Sequence, residues 1–430
     1  MSAPLDVTAT EVRTKVFKVD RFRDPAISAE RRAELEAAEG EPLDMSVEGV
    51  LDEAKAKTGL SDFGPMDFVE RLGLLLGEVG ANANLWRFAK AAFRASCVKQ
   101  AANRLKNKAY LASHPQVDAE VIDRPIVIVG LPRSGTTHLE NLIAADRRLR
   151  HLPVYLGSEA VLGPGEEIGP DGLDPRRVRS AAHWDRMKQN AIMAAMHEHS
   201  PDHACGENEL QMPDFTTYQW EWMAEVPAWR DYLLSHDQTP HYAYGKRMLK
   251  AIAHQFPSDR RWILKGNQHS EQIPALVANY PDALVVQIHR DPLAMLQSVL
   301  TMRGLSVLAH QKHPDLQAHV AYWVDRTERM LRAYLRDMDA VPEGQRLDIL
   351  FGEVIADDVG TAQRVLEFAG LPPSDESIAD MREYMDGHPR GKDGRVVYDL
   401  AGDFNLDIPA LRQRFAFYTD RFAVKLEVKG

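Results

Sequence analysis

Ile126-Val127-Ile128-Val129-Gly130-Leu131-Pro132-Arg133-Ser134-Gly135-Thr136-Thr137 joins three kinds of local structure in twelve residues. Four successive β-branched residues have no polar face, which fits a strand buried on both sides of a parallel sheet. Gly130 and Gly135 let the following turn direct its N–H groups inward. The amphipathic segment from Thr137 to Ala145 then reads as a helix. Strand, glycine loop and helix N-terminus together make an anion site, because the free N–H groups and the positive end of the helix dipole face the loop.

The same grammar recurs outward from this segment. Arg261-Trp-Ile-Leu264, Ala283-Leu-Val-Val-Gln-Ile288 and, more weakly, Arg346-Leu-Asp-Ile-Leu350 are short apolar runs, each followed by a helical pattern. Strands alternating with helices predict an α/β fold, a mostly parallel sheet flanked by helices in three layers. Upstream, Ser28 to Gly40, Ser46 to Lys57, Met66 to Val79 and Leu85 to Lys106 carry helical spacing or caps, after an arm of about twenty residues expected to be extended. Residues 1–120 are therefore expected to form an α-helical region, whose surface is also the expected homodimer contact. Residues 121–430 are expected to form the α/β domain, with a helical substrate-binding insertion at about 150–258.

Composition narrows the function. The 430 residues carry 52 Lys and Arg against 63 Asp and Glu, a formal charge of −11, so a broad nucleic-acid surface is not expected and any anion site must be local. Two cysteines, Cys97 and Cys205, belong to no metal-binding or disulfide array, which suits a reducing cytoplasm. No apolar run approaches the ~20 residues of a membrane span, and the N-terminus shows no export signal.

The loop has the spacing of a nucleotide P-loop, GxxxxGK[ST], but Thr136 stands where the lysine should be and the loop's cation is Arg133. Leu131-Pro-Arg-Ser-Gly-Thr-Thr137 resembles the 5′-phosphosulfate loop of sulfotransferases, which carry a sulfuryl group on 3′-phosphoadenosine 5′-phosphosulfate (PAPS). His289-Arg290-Asp291-Pro292 with Ser298 is similar to that family's 3′-phosphate motif. Leu264-Lys265-Gly-Asn-Gln-His269, Asp348 to Asp358, and His388-Pro-Arg-Gly-Lys-Asp-Gly-Arg395 extend the likeness to its bacterial branch. The resemblance implies PAPS as co-substrate with no metal, held by Pro132, Arg133, Ser134, Gly135, Thr136, Thr137, Arg290, Ser298, Arg390 and Lys392. It also implies Arg133 and Lys265 as the cations that stabilise charge on the departing phosphate.

An acceptor hydroxyl needs a general base. His197, His199 and His203 precede Cys205-Gly-Glu207-Asn-Glu209, and from this group Glu207 is the first choice and His203 the second. The three histidines do not share one helical face, so a metal site is not expected. Met187, Met193, Met196, Met212, Phe215, Tyr218, Trp220, Trp222, Met223 and Trp229 make the insertion rich in large apolar groups, which favours a lipophilic alcohol or phenol as acceptor. A P-loop kinase and a non-catalytic nucleotide-binding scaffold are the alternatives.

Overall fold

The computed structural model describes residues 15–428. In chain order the strands are β1 (Val16–Phe17), β2 (Ile126–Val129), β3 (Leu149–Arg150), β4 (Arg261–Gly266), β5 (Leu284–His289), β6 (Arg346–Leu350) and β7 (Arg395–Val396). Five of them form one parallel sheet in the order β3-β4-β2-β5-β6, so the strand that carries the glycine loop is central. Its four residues are wholly buried, and alternate side chains enter different cores. Val127 and Val129 pack with Leu264, Val285, Leu249 and Ile273 on one face. Ile126 and Ile128 pack with Ile263, Val286, Ile349 and Leu139 on the other. The expected strands form within a residue or two of their predicted limits, and the expected three-layer α/β architecture is present.

The N-terminal helices are α1 (Ala29–Ala37), α2 (Val47–Thr58), α3 (Phe68–Ala81) and α4 (Arg87–Ser113). Ser46 caps α2 by accepting from the Gly49 N–H, and Gly59 ends it with φ of 67°, the left-handed conformation that costs glycine least. Leu72, Leu76, Phe93 and Leu105 of this region share a core with Phe215, Trp220 and Trp229 of the insertion. Much of the apolar surface of α3 and α4 is thus covered within the chain, while Phe88 of α4 stays 45% exposed. Residues 1–14 of the expected extended arm lie outside the described residues; Val16–Phe17 pairs in parallel with β7.

Helix α5 (Thr136–Ala144) follows the glycine loop, and the helix Pro292–His310 follows β5. The latter has the length and mean hydropathy, 1.2, of a membrane span, but 78% of that stretch is buried inside the protein. It serves as a core helix, carrying Leu293, Leu296, Val299 and Leu300 into the packing against the helix Leu316–Asp337.

Candidate active site

Parallel strands β2, β4 and β5 all end at the same edge of the sheet, and a cavity of about 640 Å³ opens there. Ligands of open α/β sheets bind at this edge, where loops rather than helices meet the strand ends. The loop after β2 supplies its floor. Gly135 takes φ of 88° and Arg133 φ of 70°. A side chain at Gly130 would meet Ser134 Oγ at 2.7 Å and the Ile288 carbonyl at 3.1 Å. The N–H groups of Thr136, Thr137 and His138 find no acceptor among the described residues, as expected for the first turn of a helix. They are the fixed donors of an anion cradle.

Not every loop residue predicted to bind the donor faces this cradle. Ser134 is fully buried, and both its N–H and its hydroxyl donate to the Leu131 carbonyl, at 3.2 and 2.7 Å. It shapes the turn and does not line the cavity. Pro132 lines the cavity but has no N–H to offer. Arg133 turns toward the strand β5 side: its Nε donates to Ser298 Oγ at 3.0 Å, and Ser298 lies 3.2 Å from Tyr398 Oη. Burial pushes the Arg133 pKa down, while Tyr398 acts against that.

Lys265 arrives from β4, directly beside Ile128 of β2. It is 6% exposed, and its Nζ donates to Thr137 Oγ1 at 3.1 Å. Arg290 arrives from the end of β5, its guanidinium carbon over the Phe351 ring at 3.9 Å from the centroid. Its Nη1 donates to the Arg133 carbonyl at 2.6 Å, while Nε and Nη2 grip Glu427 at 2.8 and 2.7 Å. The C-terminal segment is held there because the Glu427 and Val428 N–H groups donate to Asp291, at 2.7 and 3.1 Å. Arg412, not Arg290, pairs with Asp291.

The expected concentration of positive charge is therefore partly cancelled. Arg390 donates to both oxygens of Asp358, and Lys392 lies 3.0 Å from Glu198. Among the described residues, Arg133 and Lys265 are the cavity cations of the predicted set that have no carboxylate partner.

The predicted general bases do not keep their assignments. Glu207 does not line the cavity; it is buried beneath, 3.7 Å from His269 Nε2. Burial pushes its carboxyl up to about 8 and pushes His269 down to about 3. Both are neutral at pH 7, so that contact is not an ion pair. His203 lines the cavity, but Asn141 Nδ2 donates to its Nε2 at 2.9 Å. Asn141 Oδ1 accepts from the Ala204 N–H, which fixes the amide, so the basic lone pair of His203 is already used. Burial also holds His203 and His199 down to about 4, and His197 well below the usual range.

Glu209 fits better. It lines the cavity with Lys265, and its carboxylate has no hydrogen-bond partner among the described residues. Burial pushes it up to about 7, against the pull of Lys265 and Lys99. The sequence reading passed over it for Glu207; the signal that separates them is helical phase. The segment Glu207–Asp214 is a 3₁₀ helix, and residues two apart on a three-residue turn face ~120° away from each other.

No metal set forms from the three histidines. Among the described residues, three ligand-type side chains converge at Asp67, Asp214 and His241, remote from the cleft. There Asp214 already accepts from Arg71 and Arg104 at 3.1 and 2.8 Å, which fills the role of a cation. Of the insertion's large apolar residues, Met187, Met193, Met196, Tyr218 and Trp222 line the cavity. Met212, Phe215, Trp220 and Trp229 belong to the core shared with the N-terminal helices.

A glycine loop at a helix N-terminus, a neighbouring-strand lysine and an arginine at the next strand end define an anion-binding group transferase of the α/β class. Residues 125–376, more than half of the chain, match the model of the sulfotransferase family, and the chain belongs to that family. It is a sulfotransferase, so the kinase and scaffold alternatives fall away. It is 24% identical over 278 residues to omega-hydroxy-beta-dihydromenaquinone-9 sulfotransferase Stf3 of Mycobacterium bovis, covering 62% of this chain and 68% of that protein. Among solved structures, sulfotransferase STF1 from Mycobacterium tuberculosis H37Rv superposes with a TM-score of 0.73 at 26% identity, covering 86% of this chain and 98% of that one. Sulfotransferase STF9 from Mycobacterium avium shares the fold with a TM-score of 0.79 at 24% identity, covering 90% of this chain and all of that one (100%).

Proposed function

We propose that the protein moves the sulfuryl group of PAPS to a hydroxyl of a lipophilic small-molecule acceptor by in-line displacement, without a metal. The observation that carries this reading is one cavity in which Lys265, Glu209 and the N–H cradle of Thr136 and Thr137 face each other beneath apolar walls. The loop N–H groups hold the 5′-phosphosulfate. Charge that builds on the bridging oxygen as the S–O bond breaks is met by Lys265, a role worth ~2.7–4 kcal/mol for a single preorganised donor. Arg290 and Ser298, joined by Arg133, hold the 3′-phosphate through guanidinium and hydroxyl donors. Arg390 and Lys392 close over the nucleotide from the C-terminal loop.

Glu209 takes the acceptor's proton as the acceptor oxygen bonds to sulfur, and the bisphosphate leaves. A carboxylate with a pKa of about 7 is matched to this task at neutral pH. Met187, Met193, Met196 and Trp222 offer the acceptor an apolar surface, and the relative Stf3 acts on a hydroxylated dihydromenaquinone by its name. A cytoplasmic location fits two buried, free cysteines.

A thermal-shift series with adenosine 3′,5′-bisphosphate, ATP and GTP, with and without Mg²⁺, tests the donor site. Metal-independent stabilisation by the bisphosphate is expected, and its loss in Arg290→Ala. A preference for ATP with Mg²⁺, or unchanged affinity in Arg290→Ala, would overturn the assignment.

A further inference from the structure

Behind the cleft lies a second cavity, of about 360 Å³. Val79 of α3 and Leu85, Ala89 and Phe93 at and along α4 build its far wall, so the N-terminal helices contribute to it directly. Met193, Trp222, Arg303 and Ser306 line both cavities. These four side chains stand between the two spaces, where a neck would join them.

Arg303 is out of place at that neck. It is 8% exposed, and its Nη1 donates to Ser306 Oγ at 3.2 Å. Its Nη2 makes no hydrogen bond among the described residues, its Nε, also without one, is shut away from both cavities, and no carboxylate of the described residues lies within ion-pair distance. Glu225, on the same chamber wall, is engaged instead by His319 Nδ1 at 2.7 Å. Donors left unmade on a buried guanidinium are costly, and Nη2 is the one that a group outside the chain can complete. Burial pushes its pKa down to about 10, which leaves it charged at neutral pH.

We propose that the acceptor is an amphiphilic ester or amide alcohol that spans both cavities. Its hydroxyl lies between Glu209 and Lys265, its carbonyl oxygen accepts from Arg303 at the neck, and its apolar tail fills the chamber walled by α3 and α4. An ester or amide carbonyl suits a neck because it accepts hydrogen bonds in mid-chain, whereas a carboxylate ends a chain. Apolar side chains, Val79, Leu85, Phe93, Met223 and Val307 among them, make up most of the chamber beyond, with the polar Asn82, Ser96, Glu225, His310 and Gln311 at its remaining positions, so its larger surface suits an apolar tail. This rests on the cleft being the sulfuryl-acceptor site, and it gives the N-terminal helices a part in substrate choice.

The test uses 2-hydroxyethyl esters of increasing acyl length and, as a length-matched control for the dodecanoate, 1-pentadecanol. Binding to the full chain is measured by calorimetry in the presence of adenosine 3′,5′-bisphosphate, and sulfation with PAPS is measured separately. The dodecanoate ester is expected to bind about tenfold or more tightly than the alcohol, a charge-assisted hydrogen bond being the difference. Affinity is expected to rise up to about fourfold per buried methylene. Arg303→Met should erase the ester's advantage and leave the alcohol unchanged, and Met193→Trp, which narrows the neck, should stop the gain with tail length.

Equal binding of ester and alcohol by the wild type, or affinity flat with tail length, overturns the proposal without any variant. Equal weakening of both ligands in Arg303→Met does the same, since it marks a structural role. Ester-selective, length-dependent binding with no transfer would keep the chamber and remove the acceptor-site reading. Transfer to short alcohols with no gain from tail or carbonyl would do the reverse.

Discussion

Replacing Glu209 by Gln keeps the size of the side chain and removes the half-buried, unpartnered carboxylate of the cleft. The ordinary value for a glutamate, 4.5, is raised to about 7 because burial disfavours the charged form more than Lys265 and Lys99 favour it. About half of the molecules then carry the ionised base at pH 7, about a tenth at pH 6 and about nine-tenths at pH 8. kcat/KM should accordingly fall about tenfold per pH unit below pH 6 and level off above pH 8. A positioned general base contributes ~10²–10⁴-fold, so Glu209→Gln should lose activity by that factor at pH 8. It should also lose the acidic limb, while affinity for adenosine 3′,5′-bisphosphate stays within about threefold. The assay is a pH–rate profile with a fixed alcohol acceptor and saturating PAPS, paired with bisphosphate binding by calorimetry. Retention of the limb in Glu209→Gln, or a wild-type limb centred near the ordinary carboxylate value, would refute the assignment.

Lys265→Met should lower kcat ~10²-fold or more while bisphosphate affinity changes little, because the ammonium acts on charge that develops only in transfer; an effect confined to KM would show a binding role. Glu427→Gln should raise affinity for the bisphosphate about two- to fivefold, since the 3′-phosphate must displace a half-exposed carboxylate from Arg290, and competition binding of the two proteins measures it. Glu140 on α5 has both carboxyl oxygens buried without partners, and burial with the nearby Glu207 pushes it up to about 8. Between the ordinary glutamate range and pH 8 the folded state holds a proton that the unfolded state has lost, so stability falls as pH rises, by up to ~1.4 kcal/mol per pH unit. Glu140→Gln should remove that part of the slope and stabilise the protein at pH 8 but not at pH 4, read by urea denaturation at both values; an unchanged slope would place the proton elsewhere.

The parts of the molecule legible in the sequence are those whose pattern is local and long enough to repeat. Ile126–Val129 declares a doubly buried strand by itself, and the glycines after it declare a turn. Strand β3 is two residues long, as are β1 and β7, so no alternation exists to be read; each is a strand only because a distant partner supplies its hydrogen bonds. The cation Lys265 was legible because it ends a recognisable strand, yet the partner of Arg290 was not, since Glu427 lies 137 residues further on. Charges placed together by the fold can be paired or free, and the sequence motif alone does not distinguish the two.

The base shows the same limit at the smallest scale. Glu207 and Glu209 have the same chemistry and sit on either side of Asn208, and the 3₁₀ turn decides that one joins His269 in the core while the other faces Lys265 across the cleft. Burial raises both, to about 8 and about 7. A raised pKa therefore cannot select the base; access to the acceptor does. The N-terminal helices extend the argument from one residue to a region. Their apolar faces read equally well as a dimer contact or as packing, and the core shared with Phe215, Trp220 and Trp229 commits most of that surface within the chain. Val79 and Phe93 of that core, with the neighbouring Leu85 and Ala89, also line the chamber behind the cleft. A region outside every sequence motif thus forms one wall of the space in which the acceptor is to be chosen.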